Sequence, residues 1–254
     1  MAPTVRSFSA EFEPLRLIAR FPEIYPGLLE SHAHAATVTG GARAISRGGR
    51  FDILPISAGQ CLRLGADRSL SGPHSRGAAG FLSALEEWWE ALRLPSAAAP
   101  LPFTGGWLLY LGYELATEIE PRLALPTSPD SLIALAIRTP AAWIRDRTTL
   151  QAWLVAEPGF DALLDRFETH VRESRGPTPV LRRLGFDVLE EDPAQFLEAV
   201  SRALGFIAAG DVYQANLSRE WRVASTAPVD PVAIYERLRS TNPSPFAAMM
   251  RYGN

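Results

Sequence analysis

The chain has 254 residues, with 25 basic against 28 acidic and a formal charge of −3 at neutral pH, and every basic residue is arginine. The absence of lysine excludes a lysine nucleophile, a Schiff-base lysine and the lysine of a phosphate-binding P-loop. The slight acidic excess argues against general nucleic-acid binding, which needs a basic face to displace counterions. A content of 47% hydrophobic and 21% charged residues places the chain with globular proteins able to bury a large core, not with disordered ones.

Met1 to Phe21 alternates polar and apolar residues, unlike a signal peptide, and the longest apolar patch, Trp107 to Tyr113, is too short to span a bilayer. Lone Cys61 allows no internal disulfide and no cysteine cluster for zinc, which fits a reducing, cytoplasmic setting. Its apolar strand context predicts burial.

From Leu15 to Leu64 short strand-like runs are separated by the glycine pairs Gly40-Gly41 and Gly48-Gly49, and Arg50 to Ile56 sets Phe51, Ile53 and Pro55 on one face. Phe81, Leu82, Leu85, Trp88, Trp89 and Leu92 recur at helical spacing between Ala78 and Leu94, with Glu86, Glu87 and Glu90 as the solvated side. Gly105-Gly106 ahead of Trp107 to Glu114 suggests a buried strand whose backbone lies close to something else.

Strands follow at Ser131 to Arg138, Ala141 to Arg145 and Gln151 to Val155, a series with short turns that favours an antiparallel sheet. Phe160 to Arg172 is helical, and Glu173 to Arg183 is a linker candidate. Asp192-Pro193 and Asp230-Pro231 each read as a helix N-cap followed by proline in the first turn; Gly210 ends the first helix and Asn242-Pro243 the second. Pro245 to Tyr252 reads as an apolar strand with no returning partner behind it, which suggests a piece of a longer protein.

His32 and His34 lack a nearby carboxylate or cysteine and read as a solvated loop, and His74 and His170 as surface residues. Asp211 to Ser218 reads as a strand with Gln214, Asn216 and Ser218 in register. That face either lines a pocket with neutral hydrogen-bonding groups or is the exposed side of an edge strand.

Six segments in order carry a resemblance. They are Leu28-Leu29-Glu30-Ser31, Gly48-Gly49-Arg50-Phe51-Asp52, Phe103-Thr104-Gly105-Gly106, Tyr110-Leu111-Gly112-Tyr113-Glu114, Gly210 to Ser218, and Pro243-Ser244-Pro245-Phe246-Ala247-Ala248. Together they resemble the amino-terminal portion of the chorismate-utilising component I family, which includes anthranilate synthase. Tyr213-Gln214-Ala215-Asn216-Leu217 and Arg50-Phe51-Asp52 are similar to its aminodeoxychorismate synthase branch.

The resemblance implies an α+β fold of antiparallel sheets flanked by helices, truncated here, with residues 1–172 as an amino-terminal region, 173–183 as a linker and 184–254 as an incomplete chorismate-binding region. It implies conversion of chorismate and ammonia to 4-amino-4-deoxychorismate, on the route to p-aminobenzoate and folate, with a glutamine amidotransferase partner supplying the ammonia. Magnesium is the implied cofactor. Its ligands, and a catalytic lysine in a proline-isoleucine-lysine-glycine-threonine motif, fall in the family's carboxy-terminal portion.

By the same resemblance Ser31, Gly48, Gly49, Arg50, Phe51, Pro245, Phe246 and Ala247 match a pocket for tryptophan or a similar ligand, with Gln214 and Asn216 as pocket-lining candidates and no metal ligand in this chain. Gly48 and Gly49 stand where some relatives carry tyrosine and serine. The alternatives are anthranilate synthase component I and a non-catalytic module that binds tryptophan or docks the glutaminase.

Overall fold

The computed structural model describes residues 2–9, 11–31, 49–94, 101–128, 130–174, 186–225 and 228–253. The chain divides into two compact units, Met1–Pro179 with Tyr235–Asn254, and Val180–Ile234. Among the described residues all strand pairings are antiparallel, and the fold is α+β with helices against the sheets, as the sequence predicts.

The first unit holds β1 (Thr4–Ser7), α1 (Pro14–Arg20), β2 (Gly27–Glu30), β3 (Phe51–Ile56), β4 (Cys61–Gly65), β5 (Leu70–Ser71), α2 (Phe81–Leu92) and β6 (Gly106–Leu111). A short turn of 3-10 helix at Tyr113–Leu115 leads into α3 (Ala116–Ile119), then β7 (Leu132–Thr139), β8 (Ala141–Asp146), β9 (Ala152–Ala156) and α4 (Asp161–Glu173). Of the expected linker, Glu173 and Ser174 close α4 and 175–183 lie outside the described residues. The second unit holds β10 (Phe186–Glu190), α5 (Pro193–Ala209) and β11 (Trp221–Ser225). Helix α6 (Pro231–Thr241) starts in the second unit and ends in the first, which also holds β12 (Ala247–Met250).

One sheet runs β1-β9-β8-β3-β2-β12 and another β5-β4-β7-β6. Strand β7 is apolar along nearly its whole length because both of its faces are covered. Ala134 and Ala136 meet Phe81, Ala84 and Trp88 of α2, while Leu135 and Ile137 meet Leu108 and Met250. On α4, buried Phe167 makes edge contacts with Phe8, Phe12 and Tyr25, at centroid distances of 5.4, 5.4 and 6.1 Å. Phe12 in turn meets Trp143 of β8 at 5.0 Å.

The proline-led helix starts hold as predicted. The Asp192 carboxylate accepts from the Ala194 N–H at 2.9 Å, that of Asp230 from the Val232 N–H at 2.9 Å, and Gly210 closes α5 at φ 82°. Glu86, Glu87 and Glu90 are exposed, as expected.

Other readings are corrected. The strand near the carboxy end is paired: Ala247, Ala248, Met249 and Met250 face Glu30, Leu29, Leu28 and Gly27 of β2. Its partner lies near the start of the sequence, so no local pattern could show the pairing. Asp211 to Ser218 is irregular, since β10 and β11 pair with each other and no ladder reaches the segment between α5 and β11.

Strand β6 is only partly buried, with Leu109, Tyr110 and Leu111 exposed, because it is the edge of its sheet. Its glycines do mark close approach: a Cβ on Gly105, at φ 127°, would lie 2.0 Å from the Glu157 carboxylate. Trp88 is buried, but Trp89 and Leu92 of the same predicted face are exposed, since the covered stripe of α2 runs through Phe81, Ala84 and Trp88. Cys61 is half-buried, with Sγ 3.8 Å from the Tyr252 hydroxyl. His170 is no free surface residue: its ring stacks on Phe21 at 3.9 Å, and Nδ1 lies 2.9 Å from the Tyr25 hydroxyl.

Candidate functional site

The end of β2, the start of β3 and the segment entering β12 converge in the first unit. The Ser31 hydroxyl donates to the Pro245 carbonyl at 2.9 Å. Gly49 packs against both groups, so that a Cβ there would lie 1.8 Å from Ser31 Oγ and 2.9 Å from the Pro245 oxygen. The missing side chain at position 49 is therefore what lets three distant stretches of chain meet.

Buried, compensated charge frames this junction. Asp52, 4% exposed, accepts from the Ser31 N–H at 3.3 Å and from Arg147 Nε at 2.7 Å. Arg50 reaches Asp146 through Nε at 2.9 Å and Nη2 at 2.5 Å, with its guanidinium 5.0 Å from the centre of the Phe51 ring. The Arg50 hydrogen bond, helped by the Thr148 and Thr149 N–H groups, holds the Asp146 carboxyl well below the usual carboxylate range.

Glu30, 5% exposed, accepts from the Tyr235 hydroxyl at 2.9 Å and from Arg239 at 3.1 Å, and Arg239 also meets Glu13 at 2.9 Å. Burial first, then the Glu30 charge, pushes the Tyr235 phenol far above its ordinary value, so it stays a donor. Asp52, Asp146 and Glu30 thus each have an arginine partner and act as braces, not as free bases.

Ser31, Gly49, Arg50, Phe51 and Pro245 are brought together among the expected pocket residues. Ala247 lies opposite Glu30 in the β2–β12 ladder, and Phe246 is 76% exposed. Gly48, His32 and His34 lie outside the described residues. Gln214 and Asn216 belong to the second unit, both exposed, with Gln214 Nε2 3.4 Å from Asn216 Oδ1. Sequence reasoning missed Glu30, Asp52, Asp146, Arg147, Tyr235 and Arg239. The only local signal was the Arg-Asp pairing of Arg50-Phe51-Asp52 with Arg145-Asp146-Arg147, segments that prove to lie on paired strands.

Among the described residues no group of three or more His, Cys, Asp or Glu is placed to hold a metal ion. Among the same residues no helix is long and apolar enough to cross a membrane.

The α+β fold is similar to that of anthranilate synthase component I from Streptococcus pneumoniae. The TM-score is 0.58 at 20% identity, over 84% of this chain and 49% of that one. The family model described as chorismate binding enzyme matches residues 59–254, and the chain belongs to that family.

The chain is similar to the aminodeoxychorismate synthase of Streptomyces griseus, 30% identical over 196 residues, which cover 72% of this chain and 26% of that protein. It is also similar to anthranilate synthase component 1 of Thermus thermophilus, 34% identical over 164 residues, covering 60% of this chain and 34% of that protein. An anthranilate synthase component I-like protein of Synechocystis is 29% identical over 160 residues, covering 59% of this chain and 31% of that protein. The chain therefore spans between about a quarter and a third of these curated relatives' length.

Proposed function

We propose that this chain is the amino-terminal portion of component I of an aminodeoxychorismate synthase, a cytoplasmic enzyme that exchanges the C4 hydroxyl of chorismate for ammonia delivered by a glutamine amidotransferase. The observation that carries the branch is the form of two segments, Tyr213-Gln214-Ala215-Asn216-Leu217 and Arg50-Phe51-Asp52. The match to the Streptomyces griseus protein over 72% of the chain supports it. In this reading magnesium belongs to the substrate-binding half, as suits a hard cation with oxygen ligands, and no residue of this chain is assigned to it. With no lysine among the 254 residues, the chain alone does not supply the expected nucleophile.

The Ser31 junction is read as a pocket for tryptophan or a similar amino acid. Ser31 donates its proton to Pro245 and so keeps oxygen lone pairs for an ammonium group. Gly49 keeps Ser31 and Pro245 close together, and Phe51 and Phe246 offer apolar walls. Glu30, Asp52 and their arginine partners hold the strands that carry these groups. Calorimetry with tryptophan tests this part: saturable binding lost in Ser31→Gly supports it, and no heat of binding refutes it. Binding with no turnover in any setting would favour the non-catalytic module.

Anthranilate synthase component I is the second reading, favoured by the names of relatives such as those of Thermus thermophilus and Pseudomonas aeruginosa. Protein expressed from the gene in its genomic context, given chorismate, ammonium and magnesium, separates the two by mass spectrometry. The expected product is 4-amino-4-deoxychorismate, and anthranilate overturns the assignment. Substantial turnover by the 254-residue chain alone would overturn the view that it lacks the nucleophile.

A further inference from the structure

We propose that a small cavity of the first unit, framed by the turn before β2, the β3–β4 loop and the residues that leave β12, binds an α-amino acid of glycine or alanine size. It shares no lining residue with the Ser31 junction, and the argument holds for either branch of the family.

The cavity measures about 60 Å³, and main-chain hydrogen bonds tie its walls together. The Arg251 N–H donates to the Pro26 carbonyl and the Ser57 N–H to the Ile24 carbonyl, each at 2.8 Å. One water-sized position takes about 10–15 Å³, so the space suits a ligand of about four to six non-hydrogen atoms. Glycine and alanine fall within that size, and tryptophan far outside it.

Opposite charges border this space. Glu23 and Arg251 both line it, and among the described residues neither side chain has an ion-pair partner. An ammonium group suits the first and a carboxylate the second, a pattern that a simple anion or cation satisfies at one end only.

Ser57 adds a buried donor. It is 3% exposed, and its Oγ accepts from the Gly59 N–H at 2.9 Å, which leaves the hydroxyl proton without an acceptor among the described residues. A ligand carboxylate in the cavity supplies one. On another wall the Tyr252 hydroxyl lies 3.8 Å from Cys61 Sγ. Burial, then the contact with Cys61, raises the Tyr252 phenol above its ordinary pKa, so it stays a neutral donor. Ile137 contributes apolar surface that suits a methylene or methyl group.

The test follows Cys61, the only cysteine of the 254 residues, which lines the same cavity. Its alkylation by N-ethylmaleimide under native conditions is timed by mass spectrometry of the peptide that carries it, both in the 254-residue chain and in protein expressed from the gene in its genomic context. Glycine or L-alanine should slow the reaction saturably, by about fivefold or more, with half the effect between about 0.01 and 10 mM, the range open to so small a ligand. Acetate and methylammonium, each carrying one of the two charges, should need concentrations about tenfold higher or more. Glu23→Gln and Arg251→Gln should each remove the protection and leave near-UV circular dichroism unchanged.

Alkylation that glycine and alanine leave unchanged overturns the proposal, as does protection by acetate at the same concentrations, which would mark an anion site only. Equal protection by tryptophan, or protection that survives both substitutions, overturns it too. Should a variant lose its near-UV signal, the comparison of glycine with acetate and methylammonium on the unaltered protein decides. Protection of the 254-residue chain that is missing from the protein made in its genomic context also counts against the site. None of these outcomes bears on the family assignment or on the Ser31 junction.

Discussion

A methyl group at position 49 has no room. In Gly49→Ala the new Cβ would sit 1.8 Å from Ser31 Oγ, 2.9 Å from Ser31 Cβ and 2.9 Å from the Pro245 carbonyl oxygen. The serine must turn away, and its 2.9 Å hydrogen bond to Pro245 is lost. A hydrogen bond of this type contributes about 1 kcal/mol, and forcing a carbon into a filled site costs about 1–3 kcal/mol, so the total is about 2–4 kcal/mol. With a urea dependence of about 2 kcal/mol per molar, the unfolding midpoint followed by near-UV circular dichroism should fall by about 1–2 M.

The cycle with Ser31→Gly isolates the cause. If the main clash is with the serine side chain, Gly49→Ala costs less once that side chain is gone, the 2.9 Å approach to the Pro245 oxygen remaining, and the two substitutions couple by about 1–2 kcal/mol. Additive effects would refute the packing of Gly49 against Ser31, and with it the convergence of β2, β3 and the β12 segment.

Three further outcomes follow from the same geometry. Arg138 Nη1 lies 2.9 Å from Glu157 Oε1 and donates to the Gly106 carbonyl at 2.8 Å, and Nη2 pairs with the other Glu157 oxygen, with both side chains nearly buried. Arg138→Met should therefore cost about 3–5 kcal/mol in urea unfolding, and Arg138→Met/Glu157→Leu markedly less, because removing one partner strands a buried charge; a single-variant loss under about 1 kcal/mol would contradict the account.

Burial, reinforced by the Arg166 charge, holds the His170 imidazole below its ordinary pKa of about 6.5. The unfolded chain then takes up the proton first, so this contribution to stability is complete above the unfolded value and is lost as pH falls through the folded one. An NMR titration of His170 with a midpoint above that of a free imidazole would show the sign to be wrong. The two oxygens of Glu118 accept from the Phe81 and Leu82 N–H groups, each at 2.9 Å, and so cap α2. Glu118→Ala should cost about 1 kcal/mol, and unchanged thermal unfolding would exclude the cap.

Local chemistry was legible wherever it determined local structure. The proline-led N-caps at Asp192 and Asp230, the glycine stop at Gly210 and the existence of the helix at Phe81–Leu92, though not which of its residues are covered, follow from backbone donors and side-chain periodicity over a few residues. Non-local pairing was not legible. The match of β12 to β2 and the clustering of Glu30 with Tyr235 and Arg239 depend on segments at opposite ends of the sequence.

The strand expected at residues 211–218 is irregular instead, because alternation yields a strand only when a ladder partner is present. The site shows the same division. Ser31, Gly49 and Pro245 could be named from short segments, whereas the carboxylate–arginine braces beneath them became visible only once β3 and β8 were known to pair.

The most direct test of the functional account is genetic. The gene in its genomic context, introduced into a p-aminobenzoate auxotroph and, separately, into a tryptophan auxotroph lacking anthranilate synthase component I, should restore growth without p-aminobenzoate and leave the tryptophan requirement in place. Rescue of the tryptophan auxotroph alone would contradict it.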